Sequence, residues 1–186
     1  MGQQPRRRAV FFDRDGTLIE DTGFLKDPAL VRLLPGASAV LRELAQRGFA
    51  LVIVSNQSGV GRGIISPEQA ESVHEEIVAV LAAEGVHLSG AFYCFHAPNE
   101  QRGCRKPKPQ LLFKAVEGLS LDLGVSFMVG DRDADLEAGH RAGCKTVRIN
   151  AESAEAIASS EHPHADRVVQ DWLEIQTFIL ENCDRK

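Results

Sequence analysis

Ala9-Val10-Phe11-Phe12-Asp13-Arg14-Asp15-Gly16-Thr17 is the stretch from which the fold can be read. Residues 9–12 form a continuous apolar run of the length expected for a strand buried on both faces, and Gly16 marks the point where the backbone turns away. Asp13 and Asp15 then stand at the carboxyl end of a strand, outside which open α/β sheets place their ligand crevice. Two carboxylates this close repel unless a metal ion or a shared proton compensates them, and hard oxygen ligands suit Mg²⁺. Taken alone, the pair fits a solvated acidic turn as well, because Asp beside Gly is common turn punctuation.

The surroundings repeat the pattern of strand and helix. Glu20 to Leu34 has no clean period and reads as an ordered loop over the strand ends. Ala37, Val40, Leu41, Leu44 and Ala45 recur at helical spacing, with Gly48 at the C′ position, and Phe49 to Val54 is a second apolar strand that delivers Ser55-Asn56-Gln57-Ser58-Gly59. Gly59 to Gly63 reads as flexible. Ser66-Pro67-Glu68-Gln69 opens a helix with an N-cap serine, a proline at its first position and a capping-box glutamine. Ala91–Phe95 is a third strand, followed by a polar loop from Ala97 to Pro109 and a helix from Leu111. Val125–Val129 is a fourth strand ending in Gly130-Asp131; a helix to Ala142 and a fifth strand, Lys145–Ile149, follow. The remainder adds Arg167-Val168-Val169 and a helix from Trp172 capped by Asp171, and is otherwise uninformative after Asn150. This alternation predicts an α/β fold, a doubly wound, Rossmann-like parallel sheet with helices on both faces. One domain over 1–186 is expected, with a disordered tail over about 1–7.

Composition narrows the partners. A chain of 186 residues with formal net charge −5 lacks the basic stripe of a nucleic-acid binder. Its one basic run, Arg6-Arg7-Arg8, reads as part of a solvated tail. No apolar stretch approaches the ~20 residues of a membrane span, and there is no signal-peptide core. The four cysteines, Cys94, Cys104, Cys144 and Cys183, are too few for a disulfide scaffold. A cytoplasmic monomer is the expectation, with no nucleic acid or membrane partner.

Successive strand ends present Asp13 and Asp15, then Ser55, then Lys106 in the loop after the third strand, then Asp131. Together these suit phosphoryl transfer. A phosphomonoester brings two negative charges, so a carboxylate can approach it only when Mg²⁺ and a lysine neutralise the phosphoryl oxygens. Asp13 is then the nucleophile and Asp15 the general acid and base. Asp13, Asp131 and the Asp15 backbone carbonyl would hold Mg²⁺, Ser55 would donate to the phosphoryl group, and Lys106 would bridge that group and the nucleophile. Of the remaining acids, Asp133 or Asp135 is expected only to cap the following helix.

Asp13-x-Asp15-Gly16-Thr17, with Ser55, Lys106 and Gly130-Asp131 in the same order, resembles the motif set of the haloacid-dehalogenase-like phosphatases from about Arg8 to Ile149. About forty residues separate Asp15 from Ser55 and about fifty separate Ser55 from Lys106. Those lengths are used up by the elements already assigned, so no cap domain is expected. Ser55 to Gly59 with Arg62-Gly63, and Cys104-Arg105-Lys106-Pro107 with Pro109, are similar to the capless heptose-bisphosphate and histidinol-phosphate phosphatases. That resemblance implies a heptose bisphosphate substrate first, and histidinol phosphate or another sugar phosphate second. It implies substrate contacts at Asp21, Thr22, Gly23, Phe24, Ser55, Asn56, Gln57, Ser58, Arg62, Arg105, Lys106 and Arg132, with Arg105 suited to a second phosphate.

Members of that subgroup often carry a structural zinc on a Cys-x-His pair and a later Cys-x-Cys pair. Here Cys94, His96 and Cys104 are present but Arg102 stands where the fourth ligand would be. Three ligands do not close a tetrahedral structural site, leaving either a loop that has lost zinc or a weak site completed by water. Two readings from other classes remain: a phosphoacceptor signalling domain, which has no need of Asp15, and a catalytically weak scaffold.

Overall fold

The computed structural model describes residues 7–100, 103–149 and 162–183. Most of the tail expected at the N-terminus, Arg102 and the stretch 150–161 lie outside them. The strands are β1 (Ala9–Phe12), β2 (Ala50–Asn56), β3 (Gly90–Cys94), β4 (Phe127–Gly130), β5 (Lys145–Ile149) and β6 (Arg167–Val169). The helices are α1 (Ala37–Gln46), the single turn α2 (Ser58–Gly61), α3 (Pro67–Ala83), α4 (Gln110–Leu119), α5 (Asp133–Ala142) and α6 (Trp172–Asn182). All strand pairs are parallel, in the order β3-β2-β1-β4-β5-β6. The chain winds one way from β1 to β3 and the other way from β4 to β6. The reversal between β1 and β4 is where an open sheet forms its ligand crevice. The described residues contain no separate cap domain.

The apolar run 9–12 is fully buried because each face of the sheet has its own core. Val10 and Phe12 join Leu51, Ile53 and Phe127 beneath α1, α3 and α6. Ala9 and Phe11 join Val52, Val54 and Met128 beneath α4 and α5. The alternation of side chains along a strand thus supplies two cores at once.

Most boundary signals behave as their chemistry requires. Gly48 follows α1 and Gly85 follows α3 with φ of 84° and 75°. The Ser66 hydroxyl accepts from Gln69 N at 3.2 Å, while the Gln69 carboxamide accepts from Ser66 N at 2.9 Å. Asp171 accepts from Glu174 N at 2.9 Å.

Two expectations need correction. Arg7 and Arg8 are not solvated tail: Arg7 N donates to Ser120 O at 3.1 Å and its carbonyl accepts from Asp122 N at 2.9 Å. The Arg8 guanidinium covers the Phe49 ring at 4.3 Å and donates to Arg47 O. The segment Gly59–Gly63 is not a flexible link either. It forms the turn α2 packed against the loop after β3, and a Cβ at Gly61 would lie 2.2 Å from Phe95 O. The glycine is there for close backbone approach rather than for freedom.

The tail after 161 fastens the opening motif. Trp172 begins α6 fully buried, sets its ring edge-on to Phe12 with centroids 6.3 Å apart, and donates from Nε1 to Thr17 O at 3.0 Å. Trp172→Phe keeps much of the packing but strands that carbonyl, and is expected to cost about 1–3 kcal/mol; an unchanged denaturation midpoint would show that the bond does not hold the turn. Ser66→Ala should cost about 1 kcal/mol and Ser66→Gly only a few tenths, a difference readable in thermal melts.

Candidate active site

The carboxyl ends of β1, β2 and β4 and the loop after β3 converge on a cavity of about 330 Å³. Asp13 directly follows β1, its N–H bonded to Val129 O at 3.0 Å, so that β4 fixes its direction. Gly16 turns the chain with φ of 77°. A Cβ on it would lie 2.6 Å from Asp131 Oδ2, so its lack of a side chain lets β1 and β4 bring their acids together. Oxygens of Asp13, Asp131 and Asp135 all lie within 4.8 Å of one another.

Lys106 comes from the loop after β3 and is buried. Its ammonium meets Val54 O at 2.7 Å, Asp13 Oδ1 at 2.9 Å and Asp135 Oδ1 at 2.6 Å. Burial works against its charge, but Asp13 and Asp135 outweigh burial and raise its pKa above the ordinary lysine value. Both oxygens of Asp135 are engaged, since Oδ2 accepts from Arg132 N at 3.1 Å. Asp135 therefore does more than the capping expected of it: it caps α5 and anchors the lysine. Asp133 is instead an exposed partner of Arg148.

Asp15 has a different setting. Arg14, itself buried, grips its carboxylate through Nε at 3.1 Å and Nη2 at 2.9 Å, and Gln57 Nε2 donates to Oδ2 at 2.8 Å. Burial raises the Asp15 pKa, with Arg14 and Gln57 pulling the other way. Asp131 is also pushed up, by burial and then by the Asp13 charge, although Thr17 Oγ1 donates to it at 3.2 Å.

Among the residues expected to meet substrate, Asp21, Gly23, Phe24, Asn56, Gln57, Ser58, Arg62, Arg105, Lys106 and Arg132 line the cavity. Thr22 does not and faces solvent. Ser55 lies beneath the lining, buried, with its hydroxyl accepting from Gln57 Nε2 at 3.1 Å. Arg132 reaches across to Asp21 at 2.7 Å and to Asp131 at 3.5 Å. The Arg62 guanidinium stands 5.7 Å from the Phe24 ring centre. Arg105 Nη1 is buried without a hydrogen-bond partner, an orphan donor that an anion would satisfy.

Cys94, His96 and Cys104 also come together, with His96 Nδ1 3.4 Å from Cys94 Sγ and 3.7 Å from Cys104 Sγ. Among the described residues the group stops at three. Burial, followed by the hydrogen bond with Cys104, pushes the Cys94 thiol up to about 11. The set does not make a closed structural zinc site.

Sequence reasoning passed over Arg14, gave Thr17 a place in the motif but no role, and understated Asp135. The spacing of Asp131 and Asp135 was a usable signal: four residues apart, with the second in the first turn of a helix, they can address one point. Arg14 carried none, because it lies between two acids whose directions decide its own.

Comparison with known proteins agrees with this geometry. The haloacid dehalogenase-like hydrolase family model matches residues 22–143. A D-glycero-beta-D-manno-heptose-1,7-bisphosphate 7-phosphatase of Photorhabdus laumondii is 40% identical over 178 residues, 92% of this chain and 94% of its own. That of Haemophilus ducreyi is 34% identical over 180 residues, 93% of this chain and 98% of its own. The crystal structure of the B. bronchiseptica D,D-heptose 1.7-bisphosphate phosphatase, complexed with magnesium and phosphate, aligns with a TM-score of 0.83 at 28% identity, covering 94% of this chain and 98% of its own. With Asp13, Asp15 and Lys106 lining one cavity, Asp131 beside Asp13, and relatives matching over nearly its full length, the chain belongs to the haloacid dehalogenase-like hydrolases and is a phosphatase of that family.

Proposed function

We propose that this phosphatase removes the 7-phosphate of D-glycero-D-manno-heptose 1,7-bisphosphate through an aspartyl-phosphate on Asp13. The observation that carries the chemistry is the Asp13–Lys106 pair at 2.9 Å at the foot of a cavity where three carboxylates crowd together. A carboxylate held beside a fixed ammonium can approach a phosphoryl group whose charge that ammonium shares. Asp13 attacks phosphorus in line with the departing alkoxide, which takes its proton from Asp15. A water then attacks the aspartyl-phosphate, gives its proton to Asp15 and releases phosphate. The raised pKa of Asp15 supports the donor role, and its grip by Arg14 and Gln57 fixes its direction.

The crowding of Asp13 and Asp131, with Asp131 pushed up by burial and by the Asp13 charge, fits a divalent oxygen-seeking ion. Asp13 and Asp131 would hold Mg²⁺ together with the Asp15 carbonyl, whereas Asp135 has both oxygens committed elsewhere. When bound, Mg²⁺ supplies charge neutralisation at the phosphoryl oxygens. Ser55, bonded to Gln57 below the cavity floor, fits support of that floor.

The choice of a bisphosphate rests on Arg105, whose buried Nη1 has no partner, and on relatives named for that substrate. Arg132, Asp21 and Arg62 frame the opening and suit the sugar and its second phosphate. Work as a cytoplasmic monomer, without nucleic acid or membrane partner, fits the acidic composition and the four free cysteines. Among the described residues no helix is long and apolar enough to cross a membrane.

Phosphate release is the direct test, with both heptose bisphosphate anomers, histidinol phosphate and common sugar phosphates as substrates. One heptose anomer should turn over fastest, EDTA should abolish release, and Asp13→Asn should lower kcat by at least about 10³-fold. Faster turnover of histidinol phosphate would keep the chemistry and reject the sugar. Arg105→Ala should raise KM for the bisphosphate by roughly ten- to a hundredfold, as expected for one lost charge-assisted bond. It should change KM for a heptose carrying only the 7-phosphate far less, and equal effects on both would remove Arg105 from the second-phosphate site.

A further inference from the structure

Asn56 ends β2, and both ends of its carboxamide are taken by one residue. Oδ1 accepts from Lys106 N at 3.0 Å, and Nδ2 donates to Lys106 O at 3.2 Å. That is the pair of bonds a neighbouring strand would offer, supplied here by a side chain to a segment outside the sheet. The same strand holds the other end of Lys106, since its ammonium donates to Val54 O at 2.7 Å. Lys106 is thus fixed by β2 at its main chain and at its charge, with four methylenes stretched between.

We propose that Asn56 is a positioning residue for Lys106 rather than a substrate contact, an inference that rests on the phosphoryl-transfer reading above. The ammonium acts where charge develops during transfer, so its placement matters more to the transition state than to the bound substrate. A displacement of about 1 Å in such a group can cost on the order of a hundredfold in rate. The carboxamide suits the task because it offers one acceptor and one donor in a plane, matching a peptide N–H and C=O. Asp at this position would keep the acceptor and set an oxygen against the Lys106 carbonyl.

The test is a steady-state comparison of Asn56→Ala and Asn56→Asp with wild type, at saturating Mg²⁺, on the substrate wild type prefers. Wild-type turnover comes first: if no phosphomonoester is hydrolysed, the phosphatase reading fails, whereas active wild type lets the variants speak to Asn56 alone. Asn56→Ala should lower kcat roughly ten- to a hundredfold and leave KM within about twofold. Asn56→Asp should be impaired in the same sense. In a Lys106→Ala background, Asn56→Ala should remove less than about twofold more, since the residue it positions is gone. A tenfold rise in KM at unchanged kcat would make Asn56 a substrate contact and overturn the proposal, as would an equal loss in both backgrounds. Should Asn56→Ala melt below the assay temperature, Asn56→Ser, which can still accept from Lys106 N, serves in its place with the same two criteria.

Discussion

The buried ammonium of Lys106 is the interaction on which the rest depends. A cation taken out of water is tolerated only when acceptors and opposite charge stand close, and here Val54 O accepts from the ammonium while the carboxylates of Asp13 and Asp135 flank it at 2.9 and 2.6 Å. They come from three parts of the chain: the turn after β1, the last residues of β2 and the first turn of α5. The lysine therefore ties together segments that the sheet brings only into rough proximity.

The same charge separates two acids that are neighbours in sequence. Asp13 faces the Lys106 ammonium at 2.9 Å and stands close to the carboxylate of Asp131. Asp15 turns toward a guanidinium and a carboxamide in a buried pocket, where Arg14 restrains the rise that burial causes. Two residues apart, the acids would share a face of a regular strand, but Asp13 meets Lys106 whereas Asp15 meets Arg14 and Gln57.

The architecture was legible because apolar periodicity reports directly on burial. The all-apolar run 9–12 has the length of a doubly covered strand, and the serine and glutamine opening α3 satisfy backbone groups within one turn. What stayed hidden were polar pairings between distant segments, on which periodicity is silent. The bond of Trp172 to Thr17 spans 155 positions, and that of Asn56 to Lys106 spans 50. Glycine misled for a related reason. Gly61 suggests looseness in sequence, but its purpose is set by Phe95 O, a carbonyl on another element. The motif positions themselves were readable, but which group each side chain would serve depended on neighbours the strand pattern does not specify.

The bond from Trp172 to the Thr17 carbonyl links the turn after Asp13 and Asp15 to a helix made long after it. On a ribosome, Thr17 emerges 155 positions before the indole that bonds its carbonyl. Until then the turn lacks one of its buried acceptors' partners and Phe12 lacks its edge-on neighbour. The order of manufacture is thus the reverse of the order of dependence: the motif at β1 waits for a helix made much later, and a chain cut before Trp172 would carry the motif residues without that bond.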